Sequence, residues 1–141
     1  MTFSILQKED ITPEISKQIS ELFNILNAEI SQWDIDQVLS QGNEFILACS
    51  WENDELIGMA SLATYKVISG YKGMVEDVVV SPEQRGKGIG RKLMKLLINE
   101  GQKLHLSEIL LFSGHHRKPA IALYTSLGFN LKNSGLYTLK L

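Results

Sequence analysis

The sequence holds one cysteine and three prolines, and no apolar run approaches the roughly 18 residues that a membrane-spanning helix requires. With one cysteine there can be no intrachain disulfide, and Cys49 sits in the apolar stretch "FILAC", where a buried spectator thiol fits. Charge of one sign is also scarce. Lys and Arg number 14 against 16 Asp and Glu, a formal net charge of -2, so no overall field favours nucleic acid. The opening "MTFSILQKED" has neither a basic n-region nor a long apolar stretch, so it does not read as a signal peptide. His115 and His116 are adjacent and face different ways, with no Cys or acid repeating nearby at ligand spacing; no metal site is expected. Together these absences lead to the expectation of a cytoplasmic protein with no membrane and no nucleic-acid partner.

What is present suffices for one domain. The 141 residues are 44% hydrophobic and 21% charged, enough for a single core and too few for two. "FSILQ" (3–7) reads as a first strand. Thr12-Pro13 then suits a helix start, followed by Ile15, Ile19, Leu22, Phe23, Leu26 and Ile30 at helical spacing. A second, shorter helix is expected over "SQWDIDQVLSQ". Three strand candidates follow, at 44–52, 55–68 and 73–80, with "ND" and "SGYKG" as turns between them; they predict an antiparallel meander. A helix with Ile89, Leu93, Leu96 and Leu97 on one side comes next. The run "SEILLFSG" (107–114) would then be a buried strand parallel to 73–80. A last helix from about Pro119 carries Ala120, Leu123, Tyr124 and Leu127, and "GFNLK" with "LYTLKL" suggests a closing hairpin. The whole is one α/β domain, 1–141, with a mixed sheet.

Between the third of those meander strands and its helix lies "SPEQRGKGIGRKLM". Gly86, Gly88 and Gly90 alternate there with Lys87 and Ile89, flanked by Arg85 and Arg91. A glycine loop that opens a helix is an anion site, because unpaired N–H groups and the helix dipole converge on it. Glycine also lets an anion approach the backbone closely. The spacing is not that of a P-loop, which needs Lys and then Ser or Thr after its last glycine, nor the G-x-G-x-x-G of a dinucleotide site.

The segment does fit R/Q-x-x-G-x-G/A, and here the chain resembles the GNAT superfamily of acetyl-CoA-dependent N-acetyltransferases. "AIALYTSLGF" (120–129) is similar to the family's A-x-x-L-Y-x-x-x-G-F, and the order of elements agrees over essentially the whole chain. The resemblance implies a mostly antiparallel central sheet whose parallel fourth and fifth strands splay apart, flanked by helices. It implies acetyl-CoA as co-substrate, with Arg85, Gly86, Lys87, Gly88, Ile89, Gly90 and Arg91 around its pyrophosphate. It further implies that backbone groups of Val78, Val79 and Val80 pair with the pantetheine arm, and that an N–H near Val78 faces the developing oxyanion. One departure is Arg117, where many members carry an asparagine that helps hold the co-substrate; arginine could instead reach a phosphate.

Direct attack on a thioester needs a neutral amine, and an alkylamine of pKa about 10.4 is neutral to only about 1 part in 10³ at pH 7. A base is therefore valuable, directly or through a water. The resemblance places it four residues before the strand's last apolar residue, at Glu76. Simple alternation would put Glu76, Val78 and Val80 on one face and Asp77 and Val79 on the other. Tyr124 matches the family tyrosine that hands a proton to the departing thiolate. The acceptor is then a primary amine of a small molecule or peptide, with Trp33, Tyr65 and Tyr71 as candidates to line its pocket or simply to pack. A non-catalytic acyl-CoA sensor or partner-binding module on the same fold is the alternative, and a homodimer stays open.

Overall fold

A computed structural model describes residues 1–141. Its first helix starts where the Thr-Pro pair predicts. Thr12 Oγ1 accepts from the Ile15 N–H at 3.2 Å, and Pro13 takes the first position of α1 (Pro13–Leu26). Before it, β1 (Thr2–Ile5) pairs antiparallel with β2 (Phe45–Glu52), and β3 (Glu55–Val67) and β4 (Gly70–Val80) complete the meander. The β2–β3 turn uses Asn53 and Asp54, with φ of 50° and 63°, the left-handed pair that a tight hairpin needs. After α3 (Ile89–Lys103), β5 (Glu108–Leu110) returns parallel to β4, and α4 (Lys118–Ser126) follows. The sheet order is β1-β2-β3-β4-β5.

Each face of this mixed sheet has its own core. On one side α1 buries Ile19 and Leu22 against Leu47, Cys49, Met59 and Val79. On the other, α3 buries Ile89, Leu93, Met94 and Leu97 against Ala48, Ala60, Leu62 and Val75. Gly101 and Gly73 permit close contact on that second side: a Cβ at 101 would lie 2.9 Å from Ile109, and one at 73 would lie 2.7 Å from Leu62.

Three expectations are corrected. The second helix, α2 (Ile35–Val38), is one short turn rather than the whole of 31–41. The apolar run 107–114 forms a strand only at Glu108–Leu110, because pairing with β4 stops at Met74↔Leu110. Beyond that pair the two chains separate. The closing hairpin does not form: residues 127–141 contain no strand. Alternating apolar residues make a strand only when they pair with an edge, and 136–141 pairs with none.

Candidate active site

The separation of β4 from the segment after β5 opens a cavity of about 610 Å³. Val78, Val79 and Val80 form one wall, Leu111 and Phe112 another, and the glycine loop and α4 close it, with Ile25 and Leu26 at the α1 end. Every residue predicted for the site lies on this lining except Lys87. That side chain instead donates to Gln84 Oε1 at 2.9 Å.

The strand wall is shaped by a bulge. Ser61 stands opposite Glu76 and Met59 opposite Val79, so Asp77 and Val78 together face the single residue Ala60. Asp77 takes the extra position with φ 51°, a left-handed backbone that Asp tolerates better than most residues. The bulge overturns simple alternation. Val75 and Val78, three apart, both pack toward α3, whereas Val79 packs toward α1. Glu76 therefore shares the α1 face with Val79, not with Val78 and Val80. Ser61 Oγ donates to the Glu76 carbonyl at 2.7 Å, which fixes the strand just before the bulge. Both residues of the doubled pair, Asp77 and Val78, line the cavity.

Burial raises the Glu76 carboxyl above its ordinary range, and the neighbouring Asp77 charge raises it further. Burial raises Asp77 as well. Both side chains keep solvent exposure at the cavity rim, so the shift is that of a half-desolvated wall rather than a sealed core. Glu76 thus has a better-matched basicity than a free carboxylate for receiving a proton from an ammonium.

At the opposite end, Gly86 and Gly88 have φ of 81° and 78°. A Cβ at either would meet nothing within 4 Å. Glycine is thus required by the backbone conformation, not by crowding, and the space beside it is open. Gly88 is the N-cap of α3, and the first helical hydrogen bond is Lys92 N–H to Gly88 at 3.1 Å. The amides of Ile89, Gly90 and Arg91 consequently have no acceptor within the helix. Arg85 Nε donates to the Val80 carbonyl at 3.1 Å, and Arg91 Nη2 donates to Ser126 Oγ at 2.7 Å. Each contact uses one nitrogen of the fork, and both arginines border the cavity with Arg117.

Tyr124 projects from α4 into the same space. Its ring meets Phe129 edge-on, with centroids 6.1 Å apart. Burial raises its phenol, opposed by the Arg117 charge, so at neutral pH it is a proton donor. Cys49 is not part of the site: it is fully buried under α1, and burial pushes its thiol up to about 12. Nor do the aromatic candidates line the cavity. Tyr71 OH and Thr64 Oγ1 both donate to Glu44 Oε2, at 2.9 and 2.8 Å, tying β3 and β4 to the residue that precedes β2. Trp33 borders a separate surface hollow with Asp36 and Asn43, and His115 and His116 are exposed in the loop before α4. The contributions of Ile25, Leu26 and Phe112 escaped the sequence reading, because they come from element ends that only the fold brings together.

The cavity is therefore polarised. Free amides and the Arg85 and Arg91 guanidiniums stand at one end, two raised carboxyls at the other, with about 10 Å of β4 between Glu76 and Val80 once the bulge is counted. Such a slot suits a long substrate with an anionic head and a reactive tail. Residues 8–129 match the Acetyltransferase (GNAT) family. The chain belongs to that family. Among relatives, the chain is 36% identical over 89 residues to an L-methionine sulfoximine/L-methionine sulfone acetyltransferase of Pseudomonas paraeruginosa, covering 61% of this chain and 51% of that protein. It is 33% identical over 81 residues to an L-amino acid N-acyltransferase of Escherichia coli, covering 57% and 47%. The chain thus spans about half the length of the curated relatives it matches. Among solved structures, a putative acetyltransferase from Agrobacterium tumefaciens superposes with a TM-score of 0.84 at 19% identity, covering 99% of this chain and all of that one. A "predicted acetyltransferase with acetyl-CoA" from Clostridium acetobutylicum superposes at 0.71 with 21% identity, covering 98% and 95%. At those identities the likeness establishes the GNAT fold. No helix is long and apolar enough to cross a membrane.

Proposed function

We propose that this GNAT domain transfers an acetyl group from acetyl-CoA to the primary amine of a small molecule or peptide by direct attack within a ternary complex. The observation that carries the reading is the shared cavity. Two sequence segments that resemble the family, 85–91 and 120–129, reach one slot together with Glu76, although they are separate in sequence. The residues present fit the co-substrate. Open left-handed glycines, three free helix amides and the arginines suit its pyrophosphate, and the unpaired edge of β4 suits the amides of its arm. When bound, acetyl-CoA supplies the activated acyl group.

The chain's own residues then divide the remaining work. Glu76 takes the proton that makes the incoming ammonium nucleophilic, directly or through a water. A backbone amide at the Asp77–Val78 bulge donates to the oxygen where negative charge develops. Tyr124 donates a proton to the leaving sulfur. The named activities of the relatives favour an α-amino group on a compact amino-acid-like acceptor, so L-methionine sulfoximine and L-methionine sulfone head the candidates.

The test is free-thiol release from acetyl-CoA across a panel of amino acids, amino sugars, polyamines and peptides. Amine-dependent release with no acetyl left on the protein is expected. Acetylated protein accumulating before any amine is added would replace direct attack with a covalent route.

A further inference from the structure

Two large apolar side chains border the cavity without a place in either core. Ile25 lies off the stripe that α1 buries, and Phe112 does not join Ile109 and Leu111 on the α3 side. They are 46% and 60% exposed. Their chain neighbours on the same lining, Leu26 and Leu111, each pack against a core. Ile25 and Phe112 are thus the part of the wall that only an occupant covers.

The cavity divides across the sheet. Val78, Leu111 and Tyr124 pack toward the α3 core, and the glycine loop opens α3 itself. Leu26 packs toward the α1 core, on the face that carries Glu76 and Val79. The α1 half therefore presents the Glu76 carboxyl among apolar side chains, with Asp77 beside it. No lysine lines the cavity. Arg85 and Arg91 are held at the glycine-loop end by their own hydrogen bonds. Arg117 is the N-cap of α4, whose Tyr124 and Leu127 pack toward α3. A carboxyl in an apolar surround fixes the acceptor's ammonium and leaves its side chain to the walls. An anionic side chain there would lose water among apolar groups and face two carboxyls of its own sign.

We infer that Ile25, Leu26 and Phe112 hold the side chain of the acceptor and select one that carries no charge. This rests on the proposed amino-acid-like acceptor and names the residues that choose among such acceptors. Ile25 and Phe112 come from the end of α1 and the chain just past β5, on opposite sides of Glu76 in sequence. Covering them with an apolar or neutral side chain removes exposed apolar area on both partners, which favours binding.

Initial rates of thiol release at saturating acetyl-CoA test this with L-norleucine, L-glutamine and L-glutamate as acceptors. Glutamine and glutamate share size, shape and α-carboxylate, so their ratio reads the side-chain charge. Norleucine and glutamine should each exceed glutamate in kcat/KM by about tenfold or more. Ile25→Ser and Phe112→Ser should each lower kcat/KM for norleucine by about tenfold, through KM, with the acetyl-CoA Kd from calorimetry unchanged. Equal values for glutamine and glutamate overturn the inference, as do serine variants that leave norleucine turnover intact. Should a serine variant fail to fold, Ile25→Lys at the same exposed helix end decides. The added cation should narrow the glutamine-to-glutamate ratio, and an unaltered ratio overturns the inference. Thiol release with no amine at all contradicts the proposed transferase and this inference with it, an outcome distinct from release that ignores the side chain.

Discussion

Replacing Gly88 by alanine separates the conformation of the glycine loop from its occupant. Gly88 has φ 78° and open space where a Cβ would point, so alanine brings left-handed backbone strain of about 1–2 kcal/mol and no clash. In a domain of this size that lowers Tm by about 3–8 °C. Gly42 offers a matched control. Its φ is 92°, a Cβ there would also meet nothing within 4 Å, and it does not line the cavity. Gly42→Ala should therefore lose a similar amount of stability. The two variants part company on acetyl-CoA. On the proposed placement of the pyrophosphate against the α3 amides, the methyl group at position 88 would stand in its way. Loss of one charge-assisted hydrogen bond is about 1.5–3 kcal/mol, or about tenfold to hundredfold in Kd. Calorimetric titration of both variants and wild type, with Tm from scanning calorimetry, reads both quantities. Equal Kd values for Gly88→Ala and Gly42→Ala would refute the assignment of the loop to the pyrophosphate.

Other substitutions test the remaining parts. Glu76→Gln should lower kcat by about 10²–10⁴ with little change in acetyl-CoA affinity. Because burial raises the Glu76 carboxyl in the fold, its stabilising contribution is present below the unfolded pKa and is lost as pH rises through the folded value. Glu76→Gln should accordingly melt higher than wild type at neutral pH; a lower Tm contradicts this. By the same shift, the acid limb of the wild-type rate profile should lie above the ordinary glutamate range of about 4.3 and vanish in the variant. Tyr124→Phe keeps the edge contact with Phe129 and removes only the donor, so kcat falls while Tm holds within about 1 °C. Gly73→Ala forces a methyl 2.7 Å from Leu62 and 2.9 Å from Leu106; it should destabilise by about 1–3 kcal/mol, measured by urea denaturation.

The parts of this molecule that were legible in sequence are those whose signal is local. "RGKGIG" opens a helix because its glycines and free amides are contiguous, and Thr12-Pro13 starts a helix by the same short-range logic. The bulge was not legible. Nothing in "VEDVVV" reveals that Asp77 and Val78 share one partner, since that depends on the register with Ala60, and a one-residue slip reverses every later side chain. The early end of β5 was hidden for a related reason. "ILLF" is apolar throughout, because Ile109 and Leu111 pack on the α3 core whereas Phe112 borders the cavity. Periodicity cannot distinguish a strand from a cavity wall. The absent hairpin at 128–141 shows that alternation announces a willingness to pair and not a partner.

The most direct measurement of the central claim is amide hydrogen exchange of the wild-type protein with and without acetyl-CoA. The account predicts slowed exchange at two places together, the stretch of β4 from 75 to 80 that has no β5 partner and the loop from 86 to 91, with 45–52 in β2 unchanged. Protection confined to other segments, with both of these unaltered at saturating acetyl-CoA, would contradict it.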